Sequence, residues 1–94
     1  MQTTKVRGKN NTHSVLLYAL STCPWCNKEK QLLRDNNIEF EYVDVDLCND
    51  EDYEKIGDDL LNLGGRFSFP AILIDERILI NGFKEDEIRE SLEI

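Results

Sequence analysis

The chain predicts an α/β fold with the element order β-α-β-α-β-β-α: a mixed sheet of four strands flanked by three helices. Three observations carry this. Residues 14–20 form a nearly continuous apolar run bounded by polar residues. Two stretches, 24–35 and 50–63, repeat apolar residues at helical spacing. Two short apolar runs, 70–74 and 78–80, lie one turn apart.

Each element has a local cause. The first run, Ser14-Val15-Leu16-Leu17-Tyr18-Ala19-Leu20, reads as a strand buried on both faces, as central strands of α/β sheets are. Pro24 suits a first helical position, because the N–H it lacks has no partner there anyway. Leu32 and Leu33 can share a face with Cys26 and the aliphatic stem of Glu29, and Asp35-Asn36-Asn37 ends the helix. Residues 38–46 alternate apolar and polar with period two, a half-buried strand near an edge. Asn49 or Asp50 caps the second helix, with acidic residues in its first turn. Tyr53, Ile56, Leu60 and Leu63 mark its buried face, and Gly64-Gly65 stops it. Asp75-Glu76-Arg77 turns the third strand into an antiparallel fourth. Asn81-Gly82 signals another turn, and residues 84–92 form a last helix with Ile88 and Leu92 on one face. The strand–helix–strand crossover makes the first two strands parallel.

The 94 residues allow one small domain. A chain this short buries about 60–65 % of its unfolded surface. Residues 1–13, rich in Thr, Lys, Asn and Gly, read as a flexible lead-in to a domain over 14–94. No apolar run approaches the ~20 residues of a membrane span, and the basic N-terminus is followed by no apolar stretch of a secretory leader. The net charge is -8. Lys5, Arg7 and Lys9 give +3 over residues 1–14, and residues 15–94 hold 8 basic against 19 acidic side chains. Such a surface repels phosphate backbones and anionic membranes, so neither nucleic acid nor a membrane is an expected partner.

Two of the three cysteines stand as Cys23-Pro24-Trp25-Cys26; Cys48 lies far along the chain. The spacing points to a working thiol pair in a reducing, cytoplasmic setting rather than to structural staples. Cys23 follows the buried strand and precedes Pro24, so it becomes the N-cap of the helix. Free N–H groups and the positive helix end then face its sulfur and favour thiolate over thiol. Cysteines at such positions fall from about 8.5 into a range of about 3.5–7.5, and the thiolate is the nucleophile of disulfide exchange. Cys26, one turn deeper, is the less exposed thiol of higher pKa and is placed to resolve a mixed disulfide. Trp25 is expected partly exposed beside the sulfur, as an apolar platform. A zinc site needs two more ligands, and Cys48 and His13 stand at no suitable spacing, so no metal is expected. Cys48 reads as a small half-buried residue, His13 as a surface residue, and Tyr18 as an apolar strand residue.

Over about residues 14–93 the chain resembles the glutaredoxin branch of the thioredoxin-fold superfamily. The resemblance rests on Cys23-Pro24-Trp25-Cys26 after a buried strand, Ser68-Phe69-Pro70 before the third strand, and Asn81-Gly82-Phe83 before the last helix. It implies a thioredoxin-like fold with Pro70 as the cis-proline opposite the cysteines, and a substrate groove framed by Trp25, Phe69, Pro70, Gly82 and Phe83. A thiol peptide would pair with the backbone of Phe69 as an added strand. The amides at Phe83 and Lys84 would hold a carboxylate. The implied activity is reduction of protein or small-molecule disulfides by a monomer with no bound cofactor. Its electrons would come from glutathione, from coenzyme M as in the similar methanoredoxins, or from a reductase. Leu20 stands where many glutathione-using members carry Lys, and Asn81-Gly82 replaces their Gly-Gly, so the site is poorer in cation; Arg66 and Lys84 are the compensating candidates. The rival is an iron–sulfur carrier sharing a cluster between two subunits, which Pro24 disfavours because cluster-binding members usually have Gly or Ser there.

Overall fold

The computed structural model describes residues 2–94. Five strands form one sheet: β1 (Thr4–Val6), β2 (Val15–Ala19), β3 (Phe40–Asp44), β4 (Ala71–Ile74) and β5 (Ile78–Asn81). Three helices, α1 (Pro24–Asp35), α2 (Asp50–Asn62) and α3 (Glu85–Leu92), complete the fold. The sheet order is β1-β3-β2-β4-β5. β2 and β3 run parallel through the α1 crossover, and β4 pairs antiparallel with both β2 and β5. This is the mixed sheet of a thioredoxin-like fold.

β2 lies at the centre because its side chains are apolar on both faces. Val15, Leu17 and Ala19 join Phe40, Ile72, Ile74 and Ile80 in a core layer closed by α1 and α3. Tyr18 points the other way and packs with Val43, Val45 and Ala71 against Ile56 and Leu60 of α2. Full burial of such a side chain contributes about 1.5–3 kcal/mol. β2 has one neighbour on each side, which leaves its end pointing at the cysteine loop. The Asn49 Oδ1 accepts from the Asp52 N–H at 2.8 Å and caps α2. Among the described residues no helix is long and apolar enough to cross a membrane.

The expectation of four strands is corrected to five. Thr4, Lys5 and Val6, which the sequence assigns to the flexible lead-in, pair antiparallel with Tyr42, Glu41 and Phe40. Lys5 opposes Glu41 across the ladder, and its Nζ lies 3.7 Å from Glu39. The basic front of the chain thus meets acidic side chains of the strand it covers, a favourable cross-strand arrangement. Asn10 continues the attachment: its N–H donates to the Asn37 carbonyl at 2.9 Å, and its carbonyl accepts from Glu39 N–H at 2.9 Å. β3, read as near an edge, therefore has a neighbour on both sides, and β1 is the edge. β3 is also shorter than its alternation implies, because Val45–Leu47 turn into a 3-10 helix.

His13, read as a surface residue, ties three segments together. Its Nδ1 lies 2.7 Å from Asp75 and its Nε2 2.8 Å from Glu93, with the side chain only 15 % exposed. Asp75 opens the β4–β5 turn, where both Asp75 and Glu76 take positive φ. The hydrogen bond to Asp75 raises His13 above its usual 6.5; burial opposes this, and Glu93 adds to it. A raised folded value means a contribution that is complete below about pH 6.5 and is lost as pH climbs through the folded value. Denaturant unfolding at about pH 6 and pH 9 is the check: the native chain loses up to about 1 kcal/mol over that window relative to His13→Gln. Equal pH profiles for the two proteins would remove this role.

Candidate active site

The site is built on the first turn of α1. Cys23 is its N-cap, with φ -89° and ψ 116°, and Pro24 follows in the first turn. The Cys26 N–H donates to the Cys23 Sγ at 3.2 Å. The Asn27 N–H donates to the Cys23 carbonyl at 3.0 Å and starts the helical ladder. One otherwise unpartnered N–H of the helix end thus rests on the sulfur, which is how an N-cap side chain works. Cys23 is partly exposed and Cys26 fully buried, both as free thiols. Burial pushes the Cys26 thiol up to about 12; the Cys23 side chain reinforces this, and a backbone hydrogen bond involving Leu20 opposes it.

The loop between β2 and α1 is held from below. Ser21 donates its N–H at 2.8 Å and its Oγ–H at 2.5 Å to the Asp46 carboxylate. These bonds lower the Asp46 carboxyl below its usual value. The opposite wall begins at the Phe69–Pro70 peptide bond, which is cis. The Gly82 N–H donates to the Pro70 carbonyl at 2.7 Å. Gly82 sits at φ +87°, a conformation that side-chain-bearing residues seldom adopt. Phe83 stacks on Trp25 at 5.8 Å between ring centroids, and Trp25 is 55 % exposed. Trp25, Phe69, Pro70, Gly82 and Phe83 together line an open cleft of about 200 Å³. The five groove residues named from the sequence are thus neighbours in space.

The Glutaredoxin family model matches residues 15–79, which hold the cysteine pair and the cis-proline. The chain belongs to the glutaredoxin family. A glutaredoxin-like 8.6 kDa protein in the rubredoxin operon of Clostridium pasteurianum is 35 % identical over 79 residues, covering 84 % of this chain and 97 % of that protein. The crystal structure of a glutaredoxin from Methanosarcina mazei Go1 is 38 % identical with a TM-score of 0.88, covering 100 % of this chain and 90 % of that one. The Methanosarcina acetivorans methanoredoxin is 40 % identical with a TM-score of 0.80, covering 86 % and 85 %.

Several residues of this glutaredoxin that support the site escape sequence reasoning. Asn81 turns its side chain onto the loop before Pro70. Its Nδ2 donates to the Arg66 carbonyl at 3.0 Å and the Ser68 carbonyl at 3.1 Å, and its Oδ1 accepts from the Arg66 N–H at 3.0 Å. Phe69 is backed by Phe67 at 5.4 Å, which meets Tyr53 at 5.1 Å. Phe67 lies over Gly57 of α2, where an added Cβ would stand 2.7 Å from the ring. Apart from the Phe67–Phe69 pair, these contacts join different segments of the chain, so the sequence signals only the turn at Asn81. The two lysines of the first turns of α1, Lys28 and Lys30, are both engaged by neighbouring groups. Lys28 lies over the Trp25 ring at 4.7 Å, whereas Lys30 is bound to Asp44 at 3.2 Å and to the Tyr42 ring at 4.1 Å. Cys48 is half-buried beside the α2 layer, with its Sγ 3.7 Å from the Asp44 carbonyl, and burial raises its thiol.

The Asn81 bonds hold the loop that carries Phe69. Asn81→Ala removes these side-chain bonds, and unfolding by denaturant should show a loss of about 0.5–1.5 kcal/mol. A variant as stable as the native chain would mean that the loop holds itself.

Proposed function

We propose that the protein is a dithiol thiol–disulfide oxidoreductase that reduces protein or small-molecule disulfides. The observation that carries the reading is the pairing of a partly exposed Cys23 sulfur, bonded at the start of α1, with a fully buried Cys26 one turn behind it. The Cys23 thiolate attacks a substrate disulfide. One sulfur leaves as thiolate, and the other is held in a mixed disulfide. Cys26 then displaces it, leaving a Cys23–Cys26 disulfide and the second substrate thiol. Two electrons have passed from the dithiol to the substrate, and an external thiol or a reductase restores them.

The cleft supplies the platform for this exchange. Trp25 and Phe83 cover the apolar part of a substrate. Among the described residues no backbone hydrogen bond engages the Phe69 N–H or C=O, which supports an extended substrate segment adding there as a strand. Next to the cleft, and sharing Gly82 with it, a second depression of about 430 Å³ is bordered by Arg66 and Lys84. Glu87 borders it too and lies 3.8 Å from the Lys84 Nζ, so Arg66 is the cation that most supports a small acidic thiol such as glutathione or coenzyme M as donor. The similarity to a methanoredoxin structure supports the donor that the sequence resemblance to that group implies, coenzyme M. We take the protein to act as a monomer in the cytoplasm on disulfide-bearing proteins, without nucleic acid, membrane, metal or resident cofactor.

Steady-state reduction of a small disulfide, with glutathione, coenzyme M and a thioredoxin reductase system compared as donors, tests the reading. Cys23→Ser should abolish turnover with every donor. Cys26→Ser should keep partial activity only on mixed disulfides of small thiols. Full dithiol activity in Cys23→Ser would contradict the scheme.

A further inference from the structure

α1 carries a buried carboxylic acid that the dithiol scheme leaves unused. Glu29 has no solvent exposure, and neither carboxyl oxygen has a hydrogen-bond partner. It lies three residues beyond Cys26, so the two side chains share one face of the helix. That face enters the apolar layer of Leu17, Ala19, Phe40, Ile72, Ile88 and Leu33. Glu29 and Lys30 are the buried charged residues among those described. Lys30 is bound to Asp44 and lies over Tyr42, both on β3, and so is not the partner of Glu29.

A carboxyl sealed in this way, unpaired, is costly to keep and needs a reason. We propose that Glu29 exchanges a proton with Cys26, taking it when the Cys23–Cys26 disulfide closes and returning it when that disulfide is reduced. The inference rests on the dithiol cycle proposed above. On closing, the Glu29 carboxylate takes the proton of the Cys26 thiol. The Cys26 thiolate attacks the Cys23 sulfur of the mixed disulfide, the bond to the substrate sulfur breaks, and the substrate leaves as thiolate. On opening, an external thiolate attacks Cys23, and Cys26 departs with its electron pair and receives the proton back from Glu29.

This exchange avoids one electrostatic cost of closure. Moving the proton from sulfur to carboxylate shifts a buried negative charge along the helix face without creating a second one. Burial pushes the Glu29 carboxyl up to about 8, so it is a neutral acid for much of the time near neutrality and a base of useful strength above it. Cys26 is held high partly by the Cys23 side chain and by Glu29. A mixed disulfide at Cys23 removes the first of these two causes. In the dithiol form neither Glu29 oxygen bonds to Cys26, so the exchange follows a rotation of the Glu29 side chain or the entry of a water once Cys23 is occupied.

The test is single-turnover reaction of the reduced protein with an aromatic disulfide that releases a coloured thiolate at each step. The first release reports attack by Cys23, the second closure by Cys26. In Glu29→Gln the ratio of second to first rate constants should fall at least about tenfold near pH 7, and its rise towards alkaline pH should disappear. Glu29→Leu, which leaves no buried polar group, should show the same fall and covers the case in which the Gln variant folds poorly. A second phase within about twofold of the native rate, with an unchanged pH profile, in either folded variant would overturn the role of Glu29. Native protein lacking any second phase would instead remove the dithiol cycle, and this inference with it.

Discussion

The site depends on one hydrogen bond, from the Cys26 N–H to the Cys23 sulfur at the start of α1. An N–H at a helix start has no carbonyl to meet, and the aligned peptide dipoles of the helix add partial positive charge there. A side chain placed at that point is stabilised as an acceptor. The rest of the architecture fixes the place. β2 delivers the chain from the sheet centre, Asp46 grips Ser21, Pro24 supplies the helical φ, and the Cys26 side chain anchors the turn in the core. Moving any of these shifts the sulfur relative to its donor.

The opposite wall reaches the same cleft by independent means. The cis Phe69–Pro70 bond, the Gly82 turn and the Trp25–Phe83 stack come from three segments, and each is backed by residues further out. Asn81 fixes the loop through its amide, and Phe67 supports Phe69 because Gly57 leaves room for its ring. The result is an open cleft lined by Trp25, two residues beyond Cys23, on a domain whose net charge is -8. Arg66 and Lys84 border the depression next to the cleft, where Glu87 lies 3.8 Å from Lys84.

Much of this was legible before any coordinates. The β2 run and the helical periods of α1 and α2 encode burial directly, because the apolar stripe is the cause of the packing. The cysteine pair was legible because Pro24 and the preceding strand fix the N-cap locally. The groove residues came through resemblance, and the structure brings them around one cleft. What stayed hidden depends on contacts distant in sequence. β1 is three residues long and polar by composition, and it becomes a strand only because β3 offers an open edge with acidic side chains. His13 has no local motif, and its two carboxylate partners lie 62 and 80 residues away. The sequence pattern accounts for a buried stem at Glu29, yet the whole carboxyl goes inside, which no local pattern signals.

The central claim is that position at the helix start, rather than membership of a Cys pair, makes one sulfur the nucleophile. The direct measurement is the rate at which iodoacetamide modifies each of the three thiols of the reduced protein near pH 7, followed by peptide mass spectrometry. Cys23 should react at least about tenfold faster than either Cys26 or Cys48. Equal rates for Cys23 and Cys48, or faster modification of Cys26, would contradict the account.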